Sequence, residues 1–197
     1  MDMNKLIYVR DQVLETDFCQ HVIEKFDWDT RRYPGMVSNS SRSSQRVDLT
    51  YKNSEDLRIT NLEGWEKEDS IMCESFSTHF QNYFTEMSTL GNTGISIGKY
   101  HDLGFAIRKY EVNQGYYNWH NDFALNSQDG LRLLTFVWYL NDVIKGGETE
   151  FINGKLIRPY VGRLLIFPTS WYFVHKGNYP LSGNKYIITA CLYGRNW

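Results

Sequence analysis

What the 197-residue chain lacks narrows its class before any motif is read. It has only three cysteines, Cys19, Cys73 and Cys191, widely scattered and without a CxxC pair. So dispersed and odd a set argues against a disulfide framework and a cysteine-zinc site, and fits a reducing cytoplasm. No uninterrupted apolar run reaches the roughly 20 residues that span a bilayer. The opening "MDMNKLIYVRDQVLETDF" lacks the basic-then-apolar pattern of a secretory signal. A cytoplasmic location with no membrane partner is therefore expected. Neither charge sign is in excess: a net charge of -2 gives no electrostatic reason to expect nucleic acid. Two local basic clusters, Arg31-Arg32 and Arg42 to Arg46, read first as solvated loop charges and second as part of a substrate-binding lip. Repeats and low-complexity linkers are also missing, so a single domain over 1–197 is expected.

What is present is a sheet-former's composition, with 42% apolar residues, 16% aromatics and 14 tyrosines. The class expected is α+β, mainly β. Residues 1–92 read as helical support with a polar loop at 34–46, and 93–197 as a β core. One short helix is expected near Asp17, which can cap it, with Phe18, Val22 and Phe26 on one face. A longer helix from about Trp65 to Met87 repeats Met72, Phe76, Phe80, Tyr83, Phe84 and Met87 at helical spacing, as a packing face. Beyond residue 94, "ISIGKY", "FAIRKYEV", "RLLTFVWYLN", "ETEFI", "GRLLIFP" and "KYIITACLY" are β-branched and aromatic, with turn residues between them. Many short strands suggest a jelly roll with helices packed on one sheet.

The stretch "YYNWHNDFALN" puts His120 and Asp122 two apart just after a strand. In extended chain, residues i and i+2 point to the same side. Two histidines and a carboxylate on one face is the pattern that holds non-haem iron(II). Of five histidines, His21 and His79 lie on the expected helices and His101 in a turn, which leaves His175 as the distal ligand. A co-substrate acid would need a buried cation. Lys185 starts the strand "KYIITACLY", whose alternation turns Ile187, Thr189 and Cys191 the same way.

At this point the sequence resembles the 2-oxoglutarate- and iron(II)-dependent prolyl 4-hydroxylases, collagen-type and microbial branch, over about residues 103 to 193. "RKYEVNQGYYNWHND", "RLLTFVWYLND", "GGETEF", "GRLLIFPTSWYFVHKG" and the H-x9-K spacing to Lys185 carry the likeness in order. The resemblance implies a double-stranded β-helix, cupin-like, with supporting N-terminal helices. It implies iron(II) on His120, Asp122 and His175, 2-oxoglutarate as co-substrate, ascorbate as reductant, and release of succinate and carbon dioxide. Lys185, Tyr110, Thr149, Tyr139 and Thr189 would receive the co-substrate; Arg132, Tyr117 and Arg108 would face substrate. The partners implied are dioxygen and a protein or peptide containing proline. Cys191 departs from the pattern, standing where a tryptophan is usual beside the iron, which would widen the pocket or make it more easily oxidised. Arg108 shares strand parity with Tyr110 and should point at the site, to tune co-substrate binding or to meet a polar substrate. Two other functions stay open: the same chemistry on a free amino acid or other small molecule, and a non-catalytic jelly-roll binding module.

Overall fold

The computed structural model describes residues 3–38, 45–90, 99–126 and 129–194. The N-terminal half contains β1 (Tyr8–Arg10), α1 (Thr16–Trp28), β2 (Tyr33–Pro34), β3 (Met36–Ser38), β4 (Gln45–Val47), β5 (Lys52–Asn53), β6 (Glu55–Arg58) and α2 (Glu66–Thr89). Then follow β7 (Tyr100–Asp102), β8 (Ala106–Tyr110), β9 (Tyr116–His120), β10 (Leu125–Asn126) and β11 (Gly130–Tyr139). The chain finishes with β12 (Thr149–Phe151), β13 (Leu156–Ile157), β14 (Leu164–Pro168), β15 (His175–Gly177) and β16 (Lys185–Gly194). A large antiparallel sheet runs β1-β14-β11-β16-β8-β6-β2, and a smaller one runs β13-β12-β15-β9-β5. Together they make the double-stranded β-helix that the sequence suggested.

Both helices lie where periodicity put them, with two differences. Glu15, not Asp17, is the residue before α1, and no side chain caps that helix. Asp17 sits inside the first turn, where its charge opposes the positive helix end favourably. The first ninety residues are also less helical than expected: six strands precede α2, and three of them join the large sheet. Runs of two to four residues are too short to show an alternation of their own. Their pairing with β8 and β14, which come later in the chain, is what defines them. The expected loop at 34–46 takes in the end of β2, all of β3 and the start of β4, and residues 39–44 lie outside the described part.

Strict alternation along the central strands separates two cores. Leu134, Phe136 and Trp138 of β11, with Ile188, Ala190 and Leu192 of β16, face the helices. There Phe76 of α2 meets Phe136 with ring centroids 4.4 Å apart, and the Trp138 indole donates to Ser75 Oγ at 3.0 Å. Each such fully buried aromatic contributes about 1.5–3 kcal/mol. The opposite parity, Val137 and Tyr139 with Ile187, fills the inside of the roll together with Phe151 and Phe167.

Two bulges set which side chains reach the interior. Arg132 pairs with Tyr193 and Leu134 with Leu192, so Leu133 is an extra residue in β11. That insertion reverses the parity before it and turns Arg132 to the side of Thr135. A second shift, between the pairs His175–His120 and Gly177–Tyr117, lets Tyr117 and His120 share one face of β9.

Candidate active site

His120 ends β9, Asp122 follows two residues on, and His175 opens β15 directly across the ladder from His120. One ligand atom from each lies within 4.8 Å of the others, the one such cluster among the described residues. Each imidazole Nε2 stands 3.8 Å from a different oxygen of Asp122. Their Nδ1 atoms face backbone carbonyls, Asn118 O at 2.7 Å and Phe173 O at 2.8 Å. A carbonyl only accepts, so Nδ1 carries the proton in both rings and each Nε2 presents a lone pair. Burial, and then His175, push the His120 imidazole down to about 3, which keeps it neutral. Burial raises the Asp122 carboxyl, but His175, His120, Arg132 and Thr135 outweigh it and bring it to about 2. Two neutral imidazole nitrogens and one carboxylate on one face suit a divalent iron with open positions left over.

Neighbours hold these groups in place. Tyr117 stacks on the His120 ring at 3.6 Å, and Phe167 packs against His175 at 4.7 Å. Thr135 Oγ1 donates to Asp122 Oδ2 at 2.7 Å, and Arg132 Nη1 donates to the Asp122 carbonyl at 3.1 Å. Thr135 carried no signal in the sequence, because a threonine in a buried strand is ordinary; only its 2.7 Å contact gives it a role.

A cavity of about 190 Å³ opens from this cluster toward Lys185. It is smaller than the roughly 300–1,000 Å³ of pockets that enclose drug-sized ligands, which suits a compact acid. Lys185 is 2% exposed, and its ammonium donates to Gly147 O at 3.1 Å and lies 4.5 Å from the Tyr110 ring centre. Burial alone pushes it down to about 8, against a distant pull from Glu148. No carboxylate pairs with it among the described residues. The two glycines before Glu148, at φ of +73° and +76°, make the turn that aims Gly147 O at Lys185. An added Cβ on Gly146 would fall 2.2 Å from Tyr179 O. Thr149 lines the cavity, and Tyr139 stands behind it with the two hydroxyls 2.6 Å apart.

Apart from Tyr139, every residue singled out in the sequence lines this cavity. Thr189 and Cys191 share the face of Lys185, as alternation required. The Cys191 thiol is raised by burial against the pull of Arg132. It is therefore kept protonated, which works against the easier oxidation expected of it. Arg108 also faces the cavity, and its surroundings were missed entirely. Its guanidinium pairs with Asp56, which also takes Lys52 Nζ at 2.7 Å and Ser54 Oγ at 2.7 Å. Lys52 is wholly buried; burial first, then Arg108, push it down to about 8. A lysine in "YKNSEDL" reads as exposed by default, so nothing local announced this network. Of the basic clusters, Arg31 and Arg46 are exposed and pair with Asp29 and Asp48, whereas Arg32 is mostly covered, pairs with Glu55 and donates to the Phe26 carbonyl at the end of α1. Arg42 lies outside the described residues.

Residues 105–193 match the model of a family described as the 2OG-Fe(II) oxygenase superfamily. No curated protein matches the chain by sequence. Among solved structures, the viral collagen prolyl hydroxylase of Paramecium bursaria Chlorella virus-1, in complex with 2-oxoglutarate, is 16% identical. The match covers 100% of both chains with a TM-score of 0.67. A prolyl hydroxylase of Trichoplax adhaerens, bound to a peptide from a hypoxia-inducible factor, is also 16% identical, over 96% of this chain and 84% of that one, at 0.68. A prolyl-4-hydroxylase of Pseudomonas putida is 14% identical over 96% and 93%, at 0.64. At such identities the likeness concerns the fold. No helix is long and apolar enough to cross a membrane.

Proposed function

We propose that the chain is a 2-oxoglutarate- and iron(II)-dependent hydroxylase acting on prolyl residues of a protein or peptide; the match of residues 105–193 to the 2OG-Fe(II) oxygenase superfamily supports the chemistry, and the fold shared with prolyl hydroxylases supports the choice of substrate. The observation that carries this reading is the convergence of two Nε2 lone pairs and the Asp122 carboxylate at one end of a cavity whose other end is a buried, unpaired lysine. His120, Asp122 and His175 would hold the iron. Bound there, iron(II) supplies the oxidative decarboxylation of 2-oxoglutarate by dioxygen, giving succinate and carbon dioxide and one oxygen atom for the substrate carbon. The chain's own residues do the rest. Lys185 takes the far carboxylate of 2-oxoglutarate as its counter-charge, with Thr149 and Tyr110 as hydroxyl donors and Thr189 on the same wall. Tyr139 orients the Thr149 hydroxyl through their 2.6 Å contact. Thr135 fixes the Asp122 carboxylate, and Tyr117 and Phe167 shield the imidazoles from water. Ascorbate is the reductant proposed to keep the iron reduced.

A peptide substrate is supported by exposed rings that neighbour two of the three clustered residues in sequence. Phe123, next to Asp122, and Trp171, before His175, are exposed and lie 5.7 Å apart. Tyr172 is 74% exposed beside them. Exposed aromatic rings of this kind suit the flat apolar face of a proline. Met36 and Gln45, from the β3–β4 pair, also line the cavity.

Anaerobic reconstitution with iron(II), followed by 2-oxoglutarate turnover with and without a proline-rich peptide, tests the proposal. Peptide is expected to raise succinate formation on the order of tenfold by ordering the site, and to gain one oxygen on a prolyl ring. Succinate formed at the same rate without peptide, with no mass gain, would refute the prolyl reading.

A further inference from the structure

The cavity wall carries more positive charge than its proposed occupants can match. Under the reading above, Asp122 and the chelating carboxylate of 2-oxoglutarate balance the iron, and the far carboxylate balances Lys185. Lys52, wholly buried, is balanced by Asp56. Arg108 remains. It shares Asp56 with Lys52, so that one carboxylate answers two cations. Arg132 is a second cation on this wall, but it already faces the Asp122 carboxylate at 3.8 Å and donates its Nε to the Tyr193 hydroxyl.

A purely structural need would be met by the Lys52–Asp56 pair, which is sealed from solvent. Arg108 differs in being reachable: its side chain is 27% exposed, against 0% for Lys52 and 4% for Asp56. Its Nε donates to Thr189 Oγ1 at 3.0 Å, which fixes the plane of the guanidinium at the cavity wall. Thr189 lies between the Lys185 end and Cys191, so Arg108 stands over the space between the co-substrate lysine and the metal cluster. It is also close enough to Cys191 to pull on its thiol.

We propose that Arg108, held by Asp56 and Thr189, is a specificity residue that receives a carboxylate of the substrate beside the carbon to be hydroxylated. The proposal rests on the hydroxylase reading. A planar guanidinium with a fixed orientation recognises a carboxylate through paired N–H donors, and discriminates against a neutral amide of the same shape. That carboxylate has two sources: an Asp or Glu side chain next to proline in a peptide, or the α-carboxylate of a free amino acid.

The test compares matched peptides containing Pro-Asp and Pro-Asn, and free L-proline, by anaerobic calorimetry on protein loaded with iron(II) and 2-oxoglutarate. Succinate turnover is measured in parallel. The Pro-Asp peptide or free proline is expected to bind roughly 10–100-fold more tightly than the Pro-Asn peptide. Arg108→Gln is expected to erase that difference while leaving 2-oxoglutarate affinity unchanged. Tight binding of the Pro-Asp peptide assigns the carboxylate to a peptide side chain, and tight binding of proline alone assigns it to a small amino acid; either supports the subsite. Equal binding of Pro-Asp and Pro-Asn peptides with no binding of proline overturns it, and needs no variant. A rise in 2-oxoglutarate Kd in Arg108→Gln also overturns it, since Arg108 would then serve the co-substrate. Charge-selective binding without turnover would leave the subsite standing and remove the hydroxylase reading; turnover without charge selectivity would do the reverse.

Discussion

Replacing His175 with alanine is expected to abolish succinate formation while leaving the protein folded. The imidazole is one of the three groups proposed to hold the metal, and no histidine beyond His120 belongs to that cluster. Loss of a partner that merely orients a metal ligand costs about 10–100-fold in affinity. Loss of the ligand itself should exceed the upper figure. The structural cost is smaller, because most of what His175 contributes to the fold is a buried ring packed against Phe151 and Phe167. A void of that size costs about 3 kcal/mol, or roughly 6–12 °C in Tm for a domain of this length. Anaerobic iron(II) titration with circular dichroism separates the two effects. Turnover at the wild-type rate would remove His175 from the ligand set.

Lys185→Met should separate activity from stability in the opposite direction. Without Lys185, the far carboxylate of 2-oxoglutarate enters a buried site lacking a counter-charge. Breaking a buried pair in this way costs about 3–5 kcal/mol, so the 2-oxoglutarate KM should rise by about 100-fold or more. Without ligand, however, the lysine is a buried cation with one carbonyl for company. Methionine fills the same space without that charge, so the free variant should melt higher than wild type. The pH profile has a defined sign. The folded value, about 8, lies below the ordinary lysine value, so the unfolded chain binds more protons between about pH 8 and 10.4. Stability of the free wild type should therefore rise with pH across that window. Lys52, pushed down to about 8 as well, adds to the same trend. Affinity for 2-oxoglutarate should fall over the same range, because binding needs the charged lysine. A KM unchanged in Lys185→Met would overturn its assignment.

One wall of the cavity was legible because it is built on a long strand. In β16, alternation alone placed Lys185, Ile187, Thr189 and Cys191 on one wall, and ten residues of regular ladder leave little room for another answer. Arg132 faces the cavity only because of the bulge at Leu133, so for that residue the sequence motif carried information that alternation would have contradicted. The N-terminal half was harder. Lys52 and Asp56 lie on strands of two and four residues, and what makes them interior is pairing with β9 and β8, where Lys52 meets Tyr117 and Asp56 meets Arg108 far along the chain. No local pattern encodes a partner that distant. The aromatic face of α2 was readable as a packing surface, but not that Phe105, Phe136 and Trp138 would cover it.

That separation along the chain also has a kinetic meaning. β1 pairs with β14, Arg163 grips Asp11, and Asn153 donates to Asn4, so the last third of the chain fastens the first dozen residues. When α2 leaves the ribosome, the strands that bury its aromatic face do not yet exist. Loop closures of this length slow folding and expose apolar surface in the meantime. A nascent chain arrested before β16 should therefore bind a hydrophobic dye and resist cleavage poorly, with protection arriving only once Lys185–Gly194 is made. Early protection of α2 would show instead that the helices form a stable unit of their own.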